Sequence, residues 1–115
     1  MKKSAILIIL LMLTGISVRA QKVYSVDHEY QALVKVYVVD HEYQADLLVY
    51  REKSESQAQG NEGKWYFTDH EYQADITIYF VDHEYQADLT VCFVRNEYQA
   101  GWQRKEKKHL MYKSK

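Results

Sequence analysis

The sequence predicts a small all-β domain built from one short unit used repeatedly. The motif Asp-His-Glu-Tyr-Gln-Ala occurs four times, beginning at Asp27, Asp40, Asp69 and Asp82. Between the copies lie short runs that alternate with a period of two and are rich in Val, Ile, Thr and aromatic residues, as β-strands are. A literal repeat in so short a chain indicates a supersecondary unit that cannot bury its apolar face alone.

The glutamate of the motif defines the register of the repeat. Including decayed copies at Glu55 and Glu97, successive glutamates are 13, 13, 16, 13 and 13 residues apart. The three extra residues fall in Gln59–Gly63, where two Gly and one Asn are typical of a surface loop. The sequence therefore predicts six units of about 13 residues, arranged as two triplets joined by a loop.

Residues 1–20 have the composition of a secretory signal peptide. Lys2 and Lys3 precede the apolar run Ala5–Leu13, and Val18-Arg19-Ala20 is a suitable cleavage site. The run is shorter than the roughly 20 apolar residues that span a bilayer, although an uncleaved anchor is the alternative. We expect a mature chain that starts near Gln21, has no stable membrane span and is secreted or periplasmic.

The mature chain divides into a β-repeat domain at residues 21–103 and a basic C-terminal tail at residues 104–115. The tail has six Lys or Arg and only Glu106 against them, whereas the body is acidic, which argues against nucleic acid as a partner. We expect a flexible, solvated tail. The alternatives are that it attracts anionic envelope polymers or lies against the acidic body. One Cys excludes an intramolecular disulfide framework.

Six runs are predicted strands, and no run is long enough for a helical period: 22–26, 34–39, 47–51, 64–68, 76–81 and 89–94. Alternate residues of each run lie on the same face of the strand, and one of the two faces is the predicted core: Val34, Val36, Val38, Trp65, Phe67, Ile76, Ile78, Phe80, Leu89, Val91 and Phe93.

The opposite face mixes polar and apolar residues and is rich in tyrosine. We therefore expect that replacing Ile78 or Val91 with Asp unfolds the domain, whereas replacing Thr77 or Thr90 with Lys is tolerated. Cys92 occupies a position where other units have Tyr, and a free Cys there is expected to be a small buried hydrophobe rather than a nucleophile.

The motif itself connects the strands. It lacks Gly and Pro and is a poor tight hairpin turn. Its Asp is expected to start a bend, its Tyr and Ala to face inward from a second extended stretch, and its Gln to bond neighbouring backbone. A unit of this length suits either a β-meander or a coiled β-array.

These residues resemble the septoil-knot repeat family. The resemblance rests on the repeated Glu-Tyr-Gln-Ala-Asp, on strands such as Ile76–Val81 and on the ending Tyr98-Gln99-Ala100-Gly101-Trp102, and covers about residues 22–112. Relatives usually have Tyr at four positions that are His in this chain: His28, His41, His70 and His83. The resemblance implies a small all-β domain with a seven-crossing torus knot, a topology that is very rare. It implies no catalytic or ligand residues.

The repeated Asp-His-Glu also has the chemistry of a metal site, since imidazoles and carboxylates bind zinc and other divalent ions. Neighbouring side chains on a strand point to opposite faces, so histidines from different repeats would have to converge. Otherwise Asp bends the chain, Glu is solvated and His occupies an aromatic position. A pH sensor is a further alternative. No catalytic triad order, phosphate loop or CxxC pair is present, and we assign no catalytic, cofactor or metal residue.

Recurrent tyrosines on the mixed face suit sugar stacking or a protein interface, or else packing between strands: Tyr24, Tyr37, Tyr50, Tyr66 and Tyr79. The sequence does not specify a biological role. We expect an exported, non-enzymatic, monomeric structural or binding protein of the envelope or extracellular space, whose partner is an envelope polymer or a protein. The alternative is a divalent-metal-binding protein that uses the repeated His, Asp and Glu.

Overall fold

The computed structural model describes residues 21–54 and 60–112, and these form a β-barrel. Its strands are β1 (Lys22–Ser25), β2 (Val34–Val38), β3 (Leu47–Arg51), β4 (Lys64–Phe67), β5 (Ile76–Phe80), β6 (Leu89–Phe93) and β7 (Gly101–Trp102). The other elements in these ranges are short 3-10 turns and one longer 3-10 helix, Lys105–Tyr112. The prediction of an all-β fold is confirmed.

The six long strands close into a ring. Their order is β4-β1-β5-β2-β6-β3, and the second half of β3 pairs back onto β4. Every neighbouring pair in this ring is parallel. The first half of β3 pairs instead with β7, which is antiparallel to it. A β-meander is antiparallel, so that alternative is wrong, whereas a coiled array agrees with the parallel order.

The chain passes around the ring twice. The first lap contributes β1, β2 and β3, the second contributes β4, β5 and β6, and the strands of the two laps alternate. Each crossover, the segment that joins consecutive strands within a lap or β6 to β7, must return the chain to the starting end of the barrel while passing one strand of the other lap. The 3-10 turns at the middle of the crossovers contact the strands they pass: Glu29–Gln31 on β5, Glu42–Gln44 on β6, Glu71–Gln73 on β1, Glu84–Gln86 on β2 and Glu97–Gln99 on β3.

The repeated motif folds as a 3-10 turn rather than as a second extended stretch. In the first copy the Gln31 N–H donates to the His28 carbonyl, and the His28 N–H donates to Gln31 Oε1 at 3.3 Å. The glutamine thus closes its own turn rather than reaching a neighbour. The decayed copy at Glu97 forms the same turn, and the one at Glu55 lies outside the described residues.

The predicted orientation of Tyr and Ala is half correct. Ala45 and Ala74 are buried, but the tyrosine of every described Glu-Tyr-Gln turn points into solvent. The two side chains therefore point to opposite sides of the crossover, because a 3-10 turn and not an extended strand separates them.

The strand face predicted to form the core points into the barrel interior. Its fully buried residues come from all six strands: Val23, Val34, Val36, Leu47, Val49, Trp65, Ile76, Ile78, Leu89 and Val91. Burying one such aliphatic side chain stabilises the fold by about 1.5–3 kcal/mol relative to leaving it exposed. Val38 departs from the prediction, being 41% exposed at the end of β2. The three phenylalanines of this face are half-buried against the core.

The outer face of the strands is buried where a crossover passes over it. Thr77 is only 1% exposed; its hydroxyl donates to the Gln31 carbonyl and accepts from the Leu33 N–H, both at 3.2 Å. Thr90 is also buried and makes the corresponding bonds to Gln44 and Asp46. The structure contradicts the basis for expecting lysine to be tolerated at these positions, because both side chains are buried and each threonine bonds the crossover of the other lap.

Cys92 lies on the same face and is buried against Val39 and Ala45. Burial, followed by the nearby charges of Glu42 and Asp40, raises the pKa of its thiol. A buried thiol with a raised pKa is a poor nucleophile, and the predicted role as a small hydrophobe is confirmed.

The C-terminal segment closes the barrel at the end where the strands begin. Met111 is buried in the core beside Trp102, and the Trp102 indole donates to the Asn61 carbonyl at 2.8 Å. Buried Asp46 forms ion pairs with Arg104 at 2.8 Å and with Lys107 at 3.1 Å. The expectation of a flexible tail is therefore wrong for residues 104–112, which lie against the acidic body, although several of their side chains stay exposed.

The loop between the two laps requires glycine at one position. Gly63 has φ of +88°, and a Cβ there would overlap the Leu48 carbonyl oxygen and lie 3.1 Å from the Gly101 nitrogen. The Gly63 carbonyl accepts from the Tyr50 N–H at 2.8 Å. Close backbone contact at this point aligns β4 with β3 and completes the ring.

Substitutions on adjacent residues of β5 test this arrangement. We expect Ile78→Asp to unfold the domain, because it places a charge in the barrel interior. Thr77→Val should lower the free energy of unfolding by about 1–3 kcal/mol, since the Gln31 carbonyl loses its hydroxyl partner. Thr77→Ser keeps the hydroxyl and serves as the matched control, with urea unfolding as the measurement. Equal stability of the Val and Ser variants would contradict the role given to the hydroxyl.

Candidate binding surface

Five exposed tyrosines project from the outer wall of the barrel, one from each described Glu-Tyr-Gln turn. Their side chains are 79–84% exposed: Tyr30, Tyr43, Tyr72, Tyr85 and Tyr98. They are exposed because the crossovers are the outermost layer of the fold and the turn directs the alanine inward. We call this set the tyrosine ring.

Four tyrosines of the ring stack on the histidine two residues before them. The ring centroids of His28 and Tyr30 are 5.5 Å apart with 8° between the planes. The three other pairs have centroid separations of 5.3–5.5 Å and interplanar angles of 9–13°: His41–Tyr43, His70–Tyr72 and His83–Tyr85. Stacking of this kind orients the tyrosine and leaves its opposite face open to solvent. The alternative in which His occupies an aromatic position agrees with this geometry.

The histidines do not converge. Within residues 21–54 and 60–112, no three His, Cys, Asp or Glu side chains come close enough together to hold a metal ion. Each Asp-His-Glu belongs to a separate crossover on the outside of the ring, so the topology keeps the repeats apart. The metal-binding alternative therefore has no supporting geometry among these residues.

The tyrosines singled out in the sequence lie on the strands and are half-buried: Tyr24, Tyr37, Tyr50, Tyr66 and Tyr79. Their burial agrees with packing against crossovers and not with an open aromatic row. The tyrosine ring was missed as a surface because the motif was expected to contain a second extended stretch. A sequence signal was available, since the motif tyrosine has polar Glu and Gln as its neighbours in every described turn.

Two open grooves adjoin the tyrosine ring. One, of about 440 Å³, is lined by Glu29, Tyr30, Ala32, Leu33, Lys35 and Asp88. The other, of about 310 Å³, is lined by Lys22, Tyr66, Thr68, Asp69, Tyr72 and Gln73. Both are open and combine one exposed aromatic ring with mainly charged and polar side chains.

A buried carboxyl group lies at the junction of the two laps. Glu52 is 6% exposed and follows β3 where other units have an apolar residue such as Val39 or Val94. Burial raises the pKa of Glu52 to about 7, assisted by a side-chain hydrogen bond with Glu97 and by the Glu97 charge. The Lys64 charge acts in the opposite direction. Lys64 Nζ lies 3.8 Å from Glu97 Oε2, so these three groups form one cluster.

Comparison with known proteins identifies the family. The model of the 7(1) septoil knot domain matches residues 20–103, and the chain belongs to this family. No curated protein and no solved structure matches the chain. In the described part of the chain, the helices are too short or too polar to span a bilayer.

The Glu52 carboxyl group predicts a pH dependence of stability. Its pKa is about 7 in the folded state against 4.5 for an ordinary glutamate, so the folded state binds more protons between these values. The free energy of unfolding should therefore fall as pH rises from about 4.5 to about 7, by on the order of 3 kcal/mol, and then level off.

Glu52→Gln should flatten this slope in urea unfolding measured across the same pH range. Glu84→Gln, a substitution of an exposed glutamate, is the control and should retain the wild-type slope. An unchanged slope in Glu52→Gln would show that another group causes the dependence.

Proposed function

We propose that this protein is an exported, non-enzymatic module that acts by binding in the envelope or extracellular space, with the tyrosine ring as its contact surface. The observation that supports it most is the near-identical exposure of the five ring tyrosines on a closed barrel. Export is supported by the composition of residues 1–20.

Exposure to this degree indicates that the tyrosines do little for folding. A tyrosine brings a large, rigid amphipathic surface to a contact at low cost in conformational entropy, and a stacked histidine restricts it further. The turns that present it are alike, which suits several equivalent contacts with one extended partner. Catalysis normally needs one asymmetric group of unlike residues, and repeated identical pairs do not supply one.

We also propose that the chain consists of six units and forms the seven-crossing knot of its family. The alternating strands of two laps support the knot, because each crossover passes outside a strand of the other lap. Six strands at the predicted positions and five matching turns support the unit count.

Mechanical unfolding tests the knot. When single molecules are pulled from handles at residues 21 and 112, the unfolded chain should be shorter than the contour length expected at about 3.3–3.6 Å per residue, because a knot tightens. Handles at residues 60 and 112 enclose only the second lap and should give the full length. Full extension from both handle pairs would exclude the knot.

Sedimentation with insoluble envelope material of the producing cells tests the binding surface. The chain 21–115 should sediment with it, and a variant with five tyrosines replaced should not: Tyr30→Ser, Tyr43→Ser, Tyr72→Ser, Tyr85→Ser and Tyr98→Ser. Its melting temperature should stay near that of the wild type, because the replaced side chains are exposed. Tyr112→Ser, also exposed but outside the repeated turns, is the control. Equal sedimentation of wild type and the fivefold variant would refute this function.

A further inference from the structure

One wall of the groove beside Tyr30 is the Tyr30 ring, whose orientation is set by stacking within the chain. The Tyr30 ring stacks on His28, so the face that points away from His28 remains available. The floor is formed in part by Ala32 and Leu33. The groove is open and shallow, so it suits a flat ligand that presents one weakly polar face to the ring.

The polar groups beside this ring are held by the fold. Lys35 Nζ lies 3.3 Å from Glu29 Oε2, and both side chains are partly exposed. Asp88 is fixed from below, because its Oδ2 accepts the Lys35 N–H at 2.9 Å. An ammonium group and two carboxylates thus stand at the edge of the aromatic platform as hydrogen-bond donor and acceptors.

The second groove has the same kinds of groups. Tyr72 supplies the exposed ring, stacked on His70, and Lys22, Asp69 and Gln73 supply charged and amide groups. Lys22 precedes Lys35 by one repeat, and its N–H is accepted by Asp75 as that of Lys35 is accepted by Asp88. The two grooves therefore arise from one repeated unit, although different parts of that unit line them.

We propose that these two grooves bind neutral saccharides, an inference that rests on the proposed binding function. The C–H face of a pyranose ring is weakly polar and matches the open face of Tyr30 or Tyr72, while its hydroxyl groups match the carboxylates, amide and ammonium at the edge. Two carboxylates against one ammonium leave the first groove negative, so uronic acids and sugar phosphates are repelled.

Each groove alone is a weak site, because an open platform buries only one face of a sugar. A dissociation constant in the millimolar range, about −4 kcal/mol, is expected for a single groove. Two grooves on one rigid barrel gain affinity only from a ligand that occupies both, so the preferred ligand is a repeating polysaccharide.

The probe is a tetrasaccharide of β-1,4-linked N-acetylglucosamine, titrated into the isotope-labelled chain 21–115 and followed by amide NMR shifts. Shifts should appear at residues 29–35 and 69–73 with the tetrasaccharide, and the shifts at residues 29–35 should be absent with a tetramer of galacturonic acid. Tyr30→Ser should weaken binding at the first groove by about tenfold or more, whereas Tyr30→Phe should have little effect. Tyr112→Ser is again the control. A second experiment measures binding of the protein to insoluble chitin. If the ligand is a polymer, the protein should bind chitin more tightly than its affinity for the tetrasaccharide explains.

Three outcomes would overturn the inference: no shift at about 10 mM tetrasaccharide, equal binding of the galacturonic acid tetramer at the first groove, or wild-type binding at that groove by Tyr30→Ser. The proposed function is judged separately by envelope sedimentation. If the fivefold tyrosine variant no longer sediments but the wild type binds no saccharide, the saccharide inference is wrong and the proposed binding function stands. Sedimentation that does not depend on the tyrosines would remove the function as well.

Discussion

The alternation of two laps around one barrel is the constraint on which the rest of the structure depends. Parallel strands of one sheet ordinarily need a connection of a dozen or more residues, often a helix, whereas residues 39–46 join β2 to β3, past β6, with eight. A five-residue strand is about 17 Å long and two strand spacings are about 10 Å, so the return path is about 20 Å. Eight residues span that distance with one 3-10 turn to spare. A helix between the strands is therefore unnecessary, and the unit can be short.

Because each crossover lies on a strand of the other lap, the outer face of the barrel becomes a second interior. Thr77 and Thr90 show the consequence, since a small side chain that both donates and accepts is needed under the turn. Asp46, Asp75 and Asp88, which follow Gln-Ala, accept a backbone N–H from the adjoining strand: Thr90, Lys22 and Lys35. These threonines and aspartates are thus structural, and they join one lap to the other.

Much of the fold could be predicted because periodicity reports directly on burial. The alternation of Ile76, Thr77 and Ile78 locates both the strand and its core face, and the spacing of the glutamates locates the loop before β4. Strand pairing could not be predicted, because period two is the same for parallel and antiparallel sheets. The burial of Thr77 and the exposure of Tyr30 depend on which segment crosses over the strand. That is decided by contacts between different repeats, and the sequence of one repeat does not reveal them.

The same geometry separates scaffold from surface in the candidate site. A residue of the unit that faces inward from a crossover touches the other lap and is constrained by it, as Ala45 and Ala74 are. The tyrosine of the turn is 79–84% exposed, so the fold places little constraint on it, yet every described copy has tyrosine. A side chain exposed to this degree adds little to stability. The contact surface that we propose would therefore be the one part of the repeated turn that the fold leaves unconstrained.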